Sequence, residues 1–423
     1  MANVIWLGGG QADGEDPSRA VASLTALRLI TGLDAAEFAD ALGERVGWPV
    51  PLFVYLQWER ADGTPPADVL GAARQVAVDR PLGPELANES RRRFLGSVVG
   101  LSALAAAGFP MAAQPLGLGG LRPGWRASPA TASDLASLVE SYRRSYAGRA
   151  AVGSLLPGAS GLVHVLADMA KHDQWPGPAA EVASLIGQAA VLTGLLNLMG
   201  PRDMVAAESH YQLALQAARE AQDWDLASYV LGSLAFHAVS VKRPADGRAL
   251  AEATWNVASR HAAPRTRAWA GALTSELFAR DGREPESRRR LDEAHAAITG
   301  VTSDPEWKGV GWFDEARLAA YEGGNLTHLG NFVEAKHKLR ATLDRLPRDR
   351  IKHRSTLSAD LALALAHCDE VEESCAHAIE ALDLAAVISH QENVERVRRV
   401  HFRLMRWRGH PAVRQLTDRL AAA

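Results

Sequence analysis

One pattern of residue sizes recurs five times after residue 200 and constrains the fold more than any other feature of the chain. A small residue is followed four positions later by a large residue, and three positions after that by a second small residue. The five triplets are Ala207–Tyr211–Ala214, Ala251–Trp255–Ala258, Ser287–Leu291–Ala294, Ala335–Leu339–Thr342 and Ser374–Ala378–Ala381, the last with alanine at its centre. Residues at i, i+4 and i+7 share one face of an α-helix, and small residues there allow another helix to approach closely. The pattern predicts stacked pairs of helices.

The fourth triplet lies in LGNFVEAKHKLRATLDRLP, residues Leu329–Pro347. The Gly-Asn-Phe start, the triplet and the final proline resemble the second helix of a tetratricopeptide repeat, and Gly323 fits the small position of the preceding helix. Successive triplets begin 36 to 48 residues apart, more than the 34 of the ideal repeat, so they resemble divergent copies. The resemblance covers Glu181–Leu384 best. Further helices of the same array are predicted at Ser133–Arg149, Gly161–Lys171 and Glu181–Met199.

This resemblance implies a superhelix with a concave groove that binds a peptide, a protein or a small molecule. The first helix of each pair usually lines such a groove. The groove candidates on these first helices are Tyr229, His237, Trp269, Glu276, Arg317 and Tyr321. The alternative for each of them is an ordinary packing or surface role.

A second module, residues 17–80, consists of short helices separated by turns. Gly32 fits a left-handed helix cap, and Asp34 with Glu37 fits a capping box. The stretches GLDAAEFADALG and LQWERADGTPP resemble the Cro/repressor-like (XRE) helix-turn-helix family, in its long-loop actinobacterial branch. The resemblance implies that the third helix enters the major groove of DNA.

The third helix starts with apolar residues, Leu52 to Leu56, where that family has polar ones. Only Tyr55, Gln57 and Arg60 are predicted to reach DNA, with Gln57 on a base and Arg60 on a phosphate. Glu59 is expected to tie the third helix to the rest of the module. Because basic residues are few, DNA binding should be weak and should require a dimer. The alternative is a degenerate module kept for packing or dimerisation.

Residues 81–130 connect the two modules and contain ESRRRFLGSVVGLSALAAAGFPMAA, residues 89–113. Three arginines before a weakly apolar run resemble an export signal. Its position after a folded module favours an internal connector helix, ahead of a membrane anchor or a cleaved signal. A Gly/Pro-rich linker follows at 115–129, and residues 1–16 are predicted to form a flexible tail.

The array, residues 131–423, ends in a predicted basic helix, on which Arg396, Arg399, Arg403 and Arg406 share one face beside an apolar face. The alternatives are a solvated capping helix or an auxiliary contact with phosphate or a partner. Cys368 and Cys375 are too few for a disulfide framework and favour a reducing compartment. Their spacing is not that of a zinc finger, so we expect packing and no metal.

The chain carries a net charge of −3 and a pI of about 6.5, so any contact with DNA must be local. No catalytic or nucleotide-binding motif is present, and we expect neither an enzyme nor a cofactor. The sequence predicts an all-α cytoplasmic regulator. Its helix-turn-helix head would bind DNA as a homo-oligomer, and its tetratricopeptide-like α-solenoid would sense a ligand. The alternative is a scaffold or antagonist that holds a protein partner without touching DNA.

Overall fold

The computed structural model describes residues 22–60, 65–82, 126–148, 150–301 and 307–422, and in these residues it is all-helical, without a β-strand. The predicted all-α class is therefore confirmed. The predicted N-terminal tail and the arginine-led segment 89–113 lie outside the described residues. We call residues 22–82 the head and residues 126–422 the body.

The head contains four helices: α1 (Leu24–Thr31), α2 (Ala35–Val46), α3 (Leu52–Glu59) and α4 (Ala67–Asp79). Gly32 ends α1 in the left-handed conformation, with φ of +68°. Asp34 and Glu37 form a reciprocal capping box at the start of α2. Both predicted caps are confirmed, because each depends only on residues within one turn of the chain.

The described body contains fourteen α-helices. They are α5 (Pro129–Ala147), α6 (Val152–Lys171), α7 (Ala179–Met199), α8 (Met204–Glu220), α9 (Trp224–Ser240), α10 (Pro244–His261), α11 (Pro264–Arg280), α12 (Glu284–Ile298), α13 (Glu315–His328), α14 (Phe332–Arg345), α15 (Ile351–His367), α16 (Val371–Ile388), α17 (Gln391–Leu404) and α18 (Pro411–Ala421). Each helix from α6 to α17 packs against the next, and α9, α11, α13, α15 and α17 also contact one another in that order. This is the arrangement of a helical array that is compatible with an α-solenoid.

The five size triplets fall on α8, α10, α12, α14 and α16, the second helices of successive pairs. Their small residues are all buried, so these faces lie against neighbouring helices. A methyl group on Gly194 would lie 2.7 Å from the Tyr211 ring, and one on Gly323 would lie 2.6 Å from Leu339. In these two pairs, a glycine on the first helix therefore accommodates the large central residue of the triplet on the second.

The same turn closes seven of the helix junctions. A residue one or two positions after the helix has positive φ, and the following N–H donates to the carbonyl five residues before it, as in a Schellman motif. The seven donors are Gln174, Asp223, Arg243, Arg283, Asn331, Glu370 and His390. Because the turn is constant, successive helices reverse direction in the same way.

Head and body share an interface and part of a core. Ala26 and Leu29 of α1, with Leu82, belong to the same cluster of buried apolar residues as the central body helices. Ser23, the N-cap of α1, donates from its backbone N–H (2.6 Å) and its hydroxyl (2.8 Å) to the carboxylate of Asp246 on α10. The head is therefore held by both apolar packing and hydrogen bonds.

Two helices, α6 and α7, are long and apolar enough to cross a membrane by length and composition alone. In α7, 89% of the apolar window is buried inside the protein, and in α6 44% is buried. A helix that is apolar on all sides is also what the centre of a packed array requires. We therefore describe α7 as a core helix.

Candidate functional site

The three residues predicted to contact DNA, two on α3 and Arg60 directly after it, occupy different environments. Tyr55 is 0% exposed; its ring packs edge-on against Phe38, and its hydroxyl donates to Glu59 at 2.7 Å. Burial, followed by the negative charge of Glu59, raises the pKa of Tyr55. Contact between Tyr55 and DNA would require the head core to open. Gln57 and Arg60 are exposed, as a contact with DNA requires, and their roles stay predictions.

The surface around the start of α3 is apolar. Phe53 is 67% exposed, and Leu52 and Trp48 are also exposed. The described part of the head carries five arginines and seven aspartates and glutamates, a net charge of −2. The described part of the head therefore lacks the positively charged surface that usually neutralises DNA phosphates.

Ion pairs within the head neutralise three of its five arginines. Arg28, Arg45 and Arg80 pair with Glu59, Asp79 and Glu44 within the head. Among the described residues, Arg60 and Arg74 pair with no carboxylate. These two arginines are the head cations that remain for phosphate.

Four of the six predicted groove residues lie together in the body, in an aromatic cluster. The ring of Tyr229 is 4.6 Å from that of Trp269 and 5.6 Å from that of Trp307. The ring centroid of Trp307 lies 6.3 Å from that of Phe313, which lies 6.1 Å from that of Tyr321. Arg317 lies over the Tyr321 ring.

The predicted members of this cluster, Tyr229, Trp269, Arg317 and Tyr321, are buried. They form packing contacts in this conformation, so their role as ligand contacts stays a prediction. Sequence reasoning missed Trp307 and Phe313, which lie between α12 and α13. The signal available there was the run WKGVGWF, with three aromatic residues and two glycines between two repeats.

The other two predicted groove residues are buried in separate charged networks. The Nε2 atom of His237 lies 3.2 Å from Glu208, which also accepts from Arg243 at 3.1 Å. Arg243 in turn pairs with Asp246, the residue that holds the head. His237 is therefore connected through charged side chains to the interface between head and body.

Glu276 lies in what we call the inner charged cluster: Glu276, Arg280, His328, Asp360, Glu392, Arg396 and Arg399. Glu276 accepts from Arg280 at 2.5 Å and lies 3.9 Å from His328. Burial and then the charges of Arg280, Arg396 and Arg399 hold the pKa of His328 well below its usual value. Burial and these positive charges therefore favour the neutral form of the His328 imidazole.

The predicted basic face of α17 divides between the interior and the surface. Arg396 is 3% exposed and donates to Asp360 at 2.5 Å, inside the inner charged cluster. Arg399 is half-buried beside it, and burial followed by the Arg396 charge lowers its pKa to about 10. Arg403 is half-buried, and Arg406 is exposed and pairs with Asp369. The role of this face as an auxiliary contact stays a prediction, with its outer half the more accessible to a partner.

A cavity of about 380 Å³ lies beside the C-terminal end of α5. Trp307 and Trp312 line it together with Arg143, Arg144, Lys308 and Arg350. Trp307 therefore joins this cavity to the aromatic cluster behind it.

The two cysteines lie at the junction of α15 and α16. Cys375 is buried among alanines of α15 and α16, and burial raises its thiol pKa to about 11. Among the described residues, no group of three or more His, Cys, Asp or Glu side chains is arranged to hold a metal ion.

A comparison with models of known protein families found no match, and neither did comparisons with curated proteins and with solved structures.

Proposed function

We propose that this chain is a ligand-responsive transcriptional regulator of the cytoplasm. Its head acts as a helix-turn-helix module, and its body as a tetratricopeptide-like α-solenoid that binds a peptide, a protein or a small molecule. The proposal includes no catalytic role. Its main support is the attachment of the head to the body at Asp246, because a sensor must be connected mechanically to the module that it controls.

The connection begins in the predicted groove. His237 on α9 is linked through Glu208 and Arg243 to Asp246, and Asp246 accepts both hydrogen bonds from Ser23. A ligand that changes the position of α9 relative to α10 therefore changes the strength of the Ser23–Asp246 contact. The ligand would act by favouring one of two populations, with the head held or released.

The head would contact DNA through the exposed Gln57 on α3 and the exposed Arg60, which directly follows α3. An amide side chain pairs with adenine in a bidentate way, and an arginine meets phosphate. With a head net charge of −2, one copy would bind weakly and a dimer would be required.

Genome-wide DNA co-precipitation with the intact protein tests this first, since discrete sites are expected. Titration of those sites should then show that Gln57→Ala relaxes sequence preference, at a cost of about 1–3 kcal/mol of discrimination. Arg60→Ala should weaken binding to all sequences and flatten the salt dependence. The matched controls are Gln75→Ala, at an exposed residue of α4, and Arg80→Ala, at an exposed arginine that already pairs with Glu44. If Gln57→Ala and Arg60→Ala bind as the parent does, the head does not bind DNA through α3.

The connection between body and head is tested with Asp246→Ala. Loss of two hydrogen bonds to a carboxylate, about 1.5–3 kcal/mol each, should accelerate amide hydrogen exchange in α1 about ten-fold or more and change DNA affinity. Asp281→Ala is the control, because it removes the ion pair with Arg248 on the same helix, α10. Equal exchange and equal DNA affinity in both variants would exclude control of the head through this contact.

The second candidate is a scaffold or antagonist that binds a protein partner and no DNA. It is favoured by the exposed Trp48, Leu52 and Phe53 at the start of α3, where a reader of DNA carries polar residues. The absence of discrete genomic sites, together with stable co-purification of one protein, would support it over the regulator.

A further inference from the structure

The cavity of about 380 Å³ is formed by three parts of the chain that are distant in sequence. One wall is the end of α5, the second is the segment 307–312, and the third is Arg350, the residue that precedes α15. Any ligand that fills it would therefore contact the first helix of the described body together with residues that lie more than 150 positions later in the chain.

The lining of this cavity is strongly cationic. Arg143, Arg144, Lys308 and Arg350 face one carboxylate, that of Glu140, among the lining residues that the structure describes. The helix α15 begins at Ile351, directly after Arg350, so the positive end of its dipole lies on the same side. The cavity thus has positive charge that its own residues do not neutralise.

Arg143 lines the cavity, but its guanidinium is already engaged in hydrogen bonds within the protein. Its Nη1 donates to Glu140 at 2.8 Å and to Gln188 at 3.0 Å, and its Nη2 donates to the carbonyl of Gly309 at 2.6 Å. These bonds fix the segment 307–312 against α5. The charge of Arg143 adds to the potential inside the cavity, while its position is set by the protein.

Three other cations remain available. The Arg144 side chain is 73% exposed, and its contact with Glu140 is long, at 3.9 Å. Among the described residues, Lys308 and Arg350 pair with no carboxylate. Arg350 lies 3.7 Å above the Trp312 ring, which orients its guanidinium at the cavity wall.

We propose that this cavity binds a small polyanion that carries phosphate or carboxylate groups, and that this polyanion is the ligand of the body. The binding of a polyanion stands on the cavity alone, and only its identification as the ligand of the body rests on the proposed function. Guanidinium groups bind phosphate and carboxylate oxygens in a bidentate way, and such bonds are the stronger ones in proteins. A concave surface that is lined by one sign of charge also concentrates ions of the opposite sign.

The test is calorimetric titration of the full chain with inorganic pyrophosphate and, separately, with citrate. Saturable binding of at least one probe is expected, weakening as NaCl is raised. The double variant Lys308→Gln/Arg350→Gln should raise the dissociation constant at least ten-fold. Arg348→Gln, an exposed arginine two residues from Arg350 that does not line the cavity, should leave it unchanged.

Tighter binding of pyrophosphate than of citrate would identify phosphate as the recognised group, and the reverse order would identify carboxylate. Arg144→Gln, which alters an exposed side chain, is the second variant if the double variant does not fold, and a three-fold or greater loss is expected. The inference is overturned if the wild type binds neither probe or if the folded variants bind as the wild type does. If a probe binds but leaves DNA affinity unchanged, the site stands and its proposed regulatory role fails.

Discussion

At the scale of single residues, the head depends on one buried group of three polar side chains. Glu59 on α3 accepts from Arg28 on α1 at 2.8 Å and from the hydroxyl of Tyr55 at 2.7 Å. Arg28 and Tyr55 are buried, so each has its main polar partner in the same carboxylate. The expectation that Glu59 ties the third helix to the rest of the head agrees with this geometry.

We predict that Glu59→Ala lowers the unfolding free energy of the head by about 3 kcal/mol, because a buried arginine loses its counter-charge. Thermal unfolding followed by circular dichroism and by hydrogen exchange in α1 measures the loss. Glu44→Ala is the control: Glu44 pairs with Arg80 at 3.6 Å on the surface, where ion pairs contribute under about 1 kcal/mol. Equal loss in both variants would contradict a special role for Glu59.

At the scale of helices, two local devices repeat along the body. The Schellman-type turn places a left-handed residue at seven junctions, and in the pairs that carry the size triplets a small residue of one helix meets the other helix. Only two of the seven left-handed residues are glycines, Gly282 and Gly330, and the others are polar or charged. The turn is therefore imposed by the packing of the helices it joins at most of these junctions, at a conformational cost that burial offsets.

Ala335 tests the packing of one such pair. It is fully buried on α14, next to the crossing of Gly323 with Leu339. Ala335→Trp should overpack this crossing and lower the unfolding free energy by about 1–3 kcal/mol or more. Val333→Trp, two residues away on the exposed side of the same helix, should change it by no more than about 0.5 kcal/mol. Unchanged thermal unfolding of Ala335→Trp would mean that the repeat register is wrong.

At the scale of the whole molecule, parts of the body that are distant in sequence contact each other. Arg202, before α8, pairs with Glu392 on α17 at 3.2 Å, and Arg143 on α5 donates to the carbonyl of Gly309. Lys352 on α15 donates to the carbonyl of Tyr146 on α5 and lies over its ring. Burial lowers the pKa of Lys352 to about 7. One of these long-range contacts therefore includes an amine whose burial disfavours its charged form.

This lysine makes stability depend on pH. Its folded pKa lies below its unfolded value, so the unfolded chain binds more protons between about pH 7 and pH 10, and stability rises with pH there. The gain is at most about 1.4 kcal/mol per pH unit. In Lys352→Met this rise should disappear, as urea unfolding at pH 7, 8 and 9 would show. Lys171→Met, at an exposed lysine, should keep it. The same slope in wild type and Lys352→Met would refute this assignment.

The class of fold and most helices follow from local sequence. Helical periodicity, the caps at Gly32 and Asp34, and the size triplets each involve residues within a few turns, so their outcome does not depend on distant parts of the chain. The prediction from sequence was wrong where tertiary contacts override local conformational preference. The sixth helix was predicted from Gly161, but α6 begins at Val152 and continues through Pro157. Burial of Val152, Leu155 and Ala159 against the array stabilises a turn that proline alone disfavours.

The candidate sites also combine features that local sequence predicts with features that tertiary contacts set. Sequence patterns alone identified the candidate side chains: aromatic and charged residues on first helices, arginines on one face near the end of the array, and Gln57 and Arg60 at the third helix. Which of these side chains lie together depends on tertiary contacts. The tertiary structure joined Tyr229 and Trp269 to Trp307, and it placed Arg396 beside Asp360. It also made a cationic cavity from α5 and from residues more than 150 positions away. These groupings depend on how the array curves, which is the sum of many small rotations between helices, and no single stretch of sequence specifies that sum.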